Sequence, residues 1–422
     1  MGNDPGVIAK ALASACESVR PGSAPDAIGE IIPAWVAAPS SVAEASAVMR
    51  TAGEHGLAVV ARGAGSRLGW GTPPSACDLV VETLGMGQVI EHAVGDLVAR
   101  VQAGARCGDV ASVLAAAGQE IALDVPATAT IGGVIADALA GPRRLRYGSP
   151  RDLLIGVTLV RADGTVAHSG GKVVKNVAGY DLGKLLAGSA GTLGLIVEAT
   201  FRLHPRPAAL AWVTAEFRTA GAAAAAVAAA ANSALVASAV EVNREEAGGP
   251  VSVGVLLEGS AEGVAARSGR MADLLSASGG SASGGSASGG EVAVSAQTPP
   301  WWGGVPEHGD GTLLRVTFWV SALARVLDAI DAAARETGTS LAVHGSAGAG
   351  LLYVTVPGPA SPSTVARLAG IVAGAIPGGR GGVVVVAGPG RSAAGIPGAG
   401  LMRAVKEQFD PDGRLWPGRT FW

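Results

Sequence analysis

The stretch VVARGAGSRLGWG, Val59 to Gly71, constrains this chain more than any other: a short apolar run ends in Arg62 and then meets glycines at 63, 65, 69 and 71. Glycine has no Cβ, so consecutive backbone N–H groups in such a loop can turn inward and converge on an anion. A diphosphate cradle is the chemistry that fits, with a plain tight turn as the alternative for a glycine pattern taken alone. A Rossmann fingerprint is the obvious competitor, because Glu82 ends DLVVE where a ribose-binding carboxylate would sit. It fails on the crossover: Gly69, Gly71, Pro73 and Pro74 leave no room for a helix that returns the chain to a parallel strand.

A second glycine site follows in DVPATATIGGVIADALAGPRR, Asp124 to Arg144. Thr128 and Thr130 offer hydroxyls beside Gly132 and Gly133, and the small residues after them let a helix pack closely; in isolation the run reads equally as a tightly packed helix. Two cradles in one domain favour an extended dinucleotide over a small anion. The loop from Gly170 to Pro205 suggests a P-loop but fails its test, since Val173 follows Lys172 and Leu185 follows Lys184 where a hydroxyl is needed to hold magnesium.

Periodicity and caps organise the rest as α+β. A lead helix occupies residues 5–20, then a strand at 35–37, and Ser41 with Glu44 forms a capping box that opens a helix to His55. Strands are expected at 57–61, 78–82 and 97–103, a helix at 109–117, and a hairpin of 153–161 with 165–168 about a two-residue Asp163-Gly164 turn. Beyond Pro207 two matching β-α-β-β-α halves are expected, 210–275 and 312–387, giving antiparallel sheet covered by helices. Between them SASGG repeats three times over 276–290, a flexible linker of ~20 Å as a random coil. The resulting division is a lead segment 1–30, a two-part domain 31–207, a cap 208–395 and a tail 396–422.

Composition narrows the partners. The net charge of −3 and the lack of a Lys/Arg cluster argue against nucleic acid. Three cysteines without a C-x-x-C argue against a disulfide framework or a zinc ribbon and for a reducing cytoplasm. Ala220 to Val240 is long and uncharged but mostly alanine, with Asn232 and Ser233 inside it, so no membrane span is expected.

Together RGAGSRLGWG, TIGGVIADALAGPRR and KNVAGYDLGKLLAGSAGTLGLIVEATFRLHPRP resemble the FAD-binding domain of the vanillyl-alcohol oxidase (PCMH-type) flavoproteins, in particular the flavin-domain E subunits of glycolate oxidases. The likeness covers residues 31–207, is looser over the cap, and returns at LMRAVKEQFDPDGRLWPGR, Leu401 to Arg419. It implies non-covalent FAD, since the first glycine loop carries Ser66 and neither His nor Cys. It places Arg62, Gly63, Ala64, Gly65, Ser66 and Arg67 at the diphosphate and Thr130, Gly132 and Gly133 on its second side. Tyr147, Gly148 and Asp152 would lie near the flavin or ribityl chain, or serve the fold, and Gly194, Ile196 and Val197 on the adenine side.

The departures bear on catalysis. Relatives that oxidise 2-hydroxy acids carry H-A-G-D-G-N-L-H in the cap; here Ser346 to Tyr353 read SAGAGLLY, so both histidines are replaced and no metal site is expected. The tail has Trp416 where relatives have Asn before Pro-Gly, and Cys107 looks structural. His344 is the candidate base, with a rim or core histidine as the alternative, and Arg315 the candidate for a substrate carboxylate, with an ion pair as the alternative. The resemblance implies a cytoplasmic FAD-dependent oxidoreductase subunit, peripheral to the membrane through its partners. Those partners would be a catalytic flavoprotein subunit and an iron–sulfur subunit, because this chain has no cysteine run for a cluster. A self-sufficient D-lactate or glycolate dehydrogenase and a silent flavin-binding subunit stand as alternatives.

Overall fold

The computed structural model describes residues 4–171, 181–279, 292–379, 381–390 and 398–419. The KNVAGY run and most of the SASGG linker lie outside them. The chain forms two compact units, one from residues up to Ala140 with Ser149–Arg206 and the C-terminal tail, the other from Gly141–Gly148 with the chain beyond Pro207.

The first unit holds a sheet of order β1-β2-β4-β3, from β1 (Val19–Pro21), β2 (Trp35–Ala37), β3 (Val59–Arg62) and β4 (Leu79–Glu82), with β4 parallel to both β2 and β3. The helices Pro5–Ala15 and Val42–Glu54 bury Leu12, Val48 and Met49 against Leu79 and Val81. The lead helix stops five residues short of the expected 20, because Val19–Pro21 is drawn into register with β2. Ser41 caps the second helix as expected, accepting from the Glu44 N–H at 3.2 Å. Glu44 itself reaches back to the Ser40 N–H at 2.7 Å, one residue earlier than a capping box requires.

A five-stranded antiparallel sheet completes the unit in the order β5-β6-β10-β8-β9: β5 (Val89–Ala93), β6 (Val98–Gln102), β8 (Leu154–Val160), β9 (Val166–Gly170) and β10 (Leu195–Arg202). The pair β7 (Gln119–Glu120) and β11 (His204–Pro205) lies apart from it. The β8–β9 hairpin loop has three residues, not the expected two, since the Arg161 N–H donates to Thr165 O at 2.9 Å. Gly164 there has φ +82°, and a Cβ would fall 2.7 Å from Ser46 O, so this close approach to the second helix fixes both loop length and glycine.

In the second unit one eight-stranded antiparallel sheet runs β15-β12-β14-β13-β17-β18-β16-β19. Its strands are β12 (Ala209–Phe217), β13 (Ala239–Arg244), β14 (Val251–Gly259), β15 (Ala293–Ser295), β16 (Thr312–Thr317), β17 (Ala342–Gly345), β18 (Leu351–Val356) and β19 (Gly382–Ala387). The order β12-β14-β13 meets β17-β18-β16, so the two β-α-β-β-α halves seen in the sequence join at the β13–β17 seam. Alternate residues such as Val213, Val255, Leu314 and Val354 share one core with Val227, Met271, Ile330 and Leu368 of the four long helices. Among the described residues no helix is long and apolar enough to cross a membrane.

Candidate functional site

The two glycine stretches come together in the first unit. They line a cleft, partly open to solvent, formed by the loop from Arg62 to Leu68, the turn around Thr130 to Gly133, and Ala190 to Ile196. Trp416 and Arg419 of the tail form a further wall. β3 delivers the first loop: its register with β4 ends at the Arg62–Glu82 pair, and the chain then turns into glycine. The second loop is tied to β6 and its exit, with the Ile131 N–H donating to Ala105 O at 3.0 Å and the Gly132 N–H to Ala103 O at 2.7 Å.

The glycines have separate reasons. A Cβ at Gly63 would fall 2.1 Å from Thr130 Oγ1, so the two loops approach closely only because that side chain is missing. Gly65 takes φ +73°, a left-handed conformation that turns the loop. Gly132 packs on Ala103, where a Cβ would meet Cβ at 3.0 Å. This is a lining of backbone and small side chains, the surface against which a diphosphate can lie.

Arg62 contributes differently from its neighbours. Its guanidinium donates to Asp26 Oδ1 and Glu82 Oε1, each at 2.7 Å, and Arg20 donates to both oxygens of Asp26 at 2.6 and 2.7 Å. Asp26 is 3% exposed, and the two arginines hold its carboxyl far below the usual carboxylate range. A carboxylate depressed in the folded state stabilises above its unfolded pKa, roughly 3.9, and loses that contribution as the pH falls toward the folded value. Asp26→Asn is therefore expected to cost about 2–3 kcal/mol at pH 7. The gap between the urea midpoints of the two proteins should shrink below about pH 4; equal midpoints at pH 7 would contradict the pairing.

The other residues singled out in the sequence separate. Gly194 and Ile196 line the cleft, whereas Val197 is fully buried in the core on the opposite side of β10 and is not part of the lining. Asp152 caps its own short helix, accepting from the Ser149 N–H at 2.8 Å. Tyr147 and Gly148 belong to the second unit, where the Tyr147 hydroxyl donates to Glu258 Oε2 at 3.2 Å beside Arg143. Burial pushes the thiols of Cys77 and Cys107 up to about 12, so neither is a thiolate at neutral pH.

In the second unit Asn243, His344, Tyr353 and Arg315 follow one another in a single register row across β13, β17, β18 and β16. Their side chains share the face away from the four helices. His344 is 6% exposed, with Nε2 at 3.8 Å from Glu241 Oε2 and the Trp301 ring edge-on at 6.5 Å. Burial lowers its pKa below the ordinary imidazole value, opposed by a backbone hydrogen bond to Gly303, so the ring is neutral at pH 7. Trp301 and Trp302 fit over β14 because Gly254 has no side chain; a Cβ there would fall 2.7 and 2.8 Å from their rings. Arg144, Glu241 and Tyr353 were not singled out in the sequence. Burial lowers the Arg144 pKa, Tyr353 and Glu241 oppose that, and Arg315 adds to it, so the four groups form one electrostatic cluster. Among the described residues no three His, Cys, Asp or Glu side chains gather as metal ligands.

Residues 33–170 match the FAD binding domain family. The glycolate oxidase subunit GlcD of Bacillus subtilis is 38% identical over 178 residues, which are 42% of this chain and 38% of that protein. The glycolate oxidase subunit GlcE of Escherichia coli is 38% identical over 124 residues, 29% of this chain and 35% of that protein. The chain thus matches less than two fifths of the length of these relatives. A crystal structure of p-cresol methylhydroxylase with substrate bound superposes with a TM-score of 0.75 at 15% identity, over 99% of this chain and 97% of that one. Both glycine loops of the cleft therefore lie in the segment that matches the FAD binding domain family, and the chain has the α+β fold seen in p-cresol methylhydroxylase.

Proposed function

We propose that this chain is an FAD-dependent oxidoreductase subunit of a glycolate oxidase-like complex, which passes electrons from a small 2-hydroxy acid through its flavin to an iron–sulfur partner. The observation that carries the reading is the convergence of two glycine loops on one cleft, with Gly63 against Thr130, inside the segment that matches the FAD binding domain family. Arg62 to Arg67 supply backbone amides to the diphosphate, and Thr130, Gly132 and Gly133 close its other side. Among the described residues the lining offers no histidine, cysteine or tyrosine for a covalent link, which supports a cofactor held by shape and charge. When bound, the flavin accepts the two electrons that leave the substrate carbon.

A second reading, a self-sufficient 2-hydroxy acid dehydrogenase, is favoured by the second unit's polar row. There neutral His344 would take the hydroxyl proton, Glu241 would steady the resulting cation, and Arg315 would orient the carboxylate. The lost histidine cluster weighs against it: a missing base typically costs a factor of roughly 10² to 10⁴.

The purified chain is expected to be yellow and to release its flavin on acid precipitation; colourless protein that takes up no FAD would sink the proposal. Anaerobic mixing with glycolate or D-lactate is expected to bleach the flavin slowly in the isolated chain and rapidly with the co-purified partner subunits. Rapid bleaching by the chain alone, lost in His344→Ala or Arg315→Ala, would establish the second reading. No bleaching in either preparation would leave a silent flavin-binding subunit.

A further inference from the structure

The C-terminal tail is built into the cleft with more precision than a covering segment needs. Its backbone runs beside β3, the strand that delivers the first glycine loop: the Val59 N–H donates to Arg414 O at 2.8 Å and the Trp416 N–H to Val59 O at 2.9 Å. Trp416 has φ +47°, which is strained for a bulky aromatic and persists only where the surroundings over-determine it. Here they do, since Trp416 Nε1 donates to Thr72 O at 3.3 Å, the Ser75 N–H to Pro417 O at 2.7 Å, and the Arg419 N–H to Trp416 O at 3.1 Å. The outcome is a guanidinium lying 3.7 Å from the centre of the Trp416 ring, with both residues more than nine-tenths buried and lining the cleft.

We infer that Arg419, held over the Trp416 ring, is the cation that grips the FAD diphosphate, so that tail docking and dinucleotide binding are one coupled equilibrium. The inference rests on the FAD reading above. Arg62 points its charge at Asp26 and Glu82, whereas Arg419 is the lining arginine that the tail presets over an aromatic ring. Burial lowers its pKa to about 10, against the pull of Asp137, and a doubly charged ligand in the same cleft would reverse that loss. A planar, preoriented guanidinium suits two phosphate oxygens better than an ammonium does.

The full-length chain, stripped of flavin, is titrated with FAD, ADP and riboflavin, following tryptophan fluorescence. Arg419→Gln is expected to weaken FAD and ADP roughly 10- to 100-fold and to leave riboflavin unchanged. Arg419→Lys, with charge but no planar stack, should fall between and carries the test if the glutamine variant does not fold. FAD should also slow proteolysis of the tail in the native chain and not in Arg419→Gln. Native affinity for FAD and ADP in both variants, or an equal loss of riboflavin, overturns the inference. A native chain that binds no FAD removes the reading beneath it instead.

Discussion

Gly63→Val is expected to abolish FAD uptake. The Cβ position sits 2.1 Å from Thr130 Oγ1 and 3.1 Å from Thr130 Cβ, and Thr130 is 2% exposed, with its β-branched side chain fixed where the second loop enters its helix. One loop must move away from the other, at an overpacking cost of about 1–3 kcal/mol before any lost contact to cofactor is counted. Since both loops line the same cleft, the displacement falls on the binding geometry, and the upper figure of about 3 kcal/mol alone corresponds to a loss of ~100-fold in affinity. Gly69, in the same loop, has no atom within 4 Å of its Cβ position and no positive φ, so Gly69→Ala is the control expected to keep native affinity. Flavin content of the two purified variants decides the matter; equal retention would show that the close approach is not needed.

Asp410→Ala should do comparable damage by a different route. The Asp410 side chain is fully buried and accepts from the backbone N–H groups of Arg414 at 3.1 Å and Leu415 at 2.7 Å, as well as from the Lys406 ammonium. Lys406 also donates to Thr192 O at 2.8 Å and Leu415 O at 2.9 Å, which ties the tail to the loop between Ala190 and Gly194. Burial lowers the Lys406 pKa and Asp410 counteracts it, so alanine takes the counter-charge from a partly buried cation and leaves two buried backbone donors unsatisfied. Breaking such a pair costs about 3–5 kcal/mol. The urea midpoint is expected to fall accordingly, with faster proteolysis of the tail. A native midpoint would mean that the tail is held by its backbone contacts alone.

What could be read in the sequence was local or periodic. The first glycine loop announces itself because no other residue turns a strand end so sharply, and Ser41 because a helix start favours a hydroxyl that accepts from the backbone N–H three residues on. The two halves of the second unit are legible because alternating valines and leucines mark one face of every strand. Contacts between distant segments left no such trace. Asp26 is an ordinary aspartate in a proline-containing turn until the fold brings Arg62 to it across 36 positions. Arg419 and Trp416 carry no periodic signal, and the rarity of tryptophan in a left-handed conformation made position 416 look merely divergent. The side chain of Val197 packs into the core while that of Ile196 meets the cleft, and a run of small and apolar residues does not say which of its faces does so.

The Asp26–Arg62 pair also decides where this domain can be cut. The family match begins at residue 33, and an excised piece starting there would contain every glycine of the cradle. It would lack Asp26, the buried counter-charge for the guanidinium at the base of the first loop, and with it the lead helix whose Ile8 and Leu12 fill the core behind β4. The homology boundary and the mechanical boundary are thus different places. The opening residues, which hold no chemistry of their own, act as the foundation on which the cofactor loop stands.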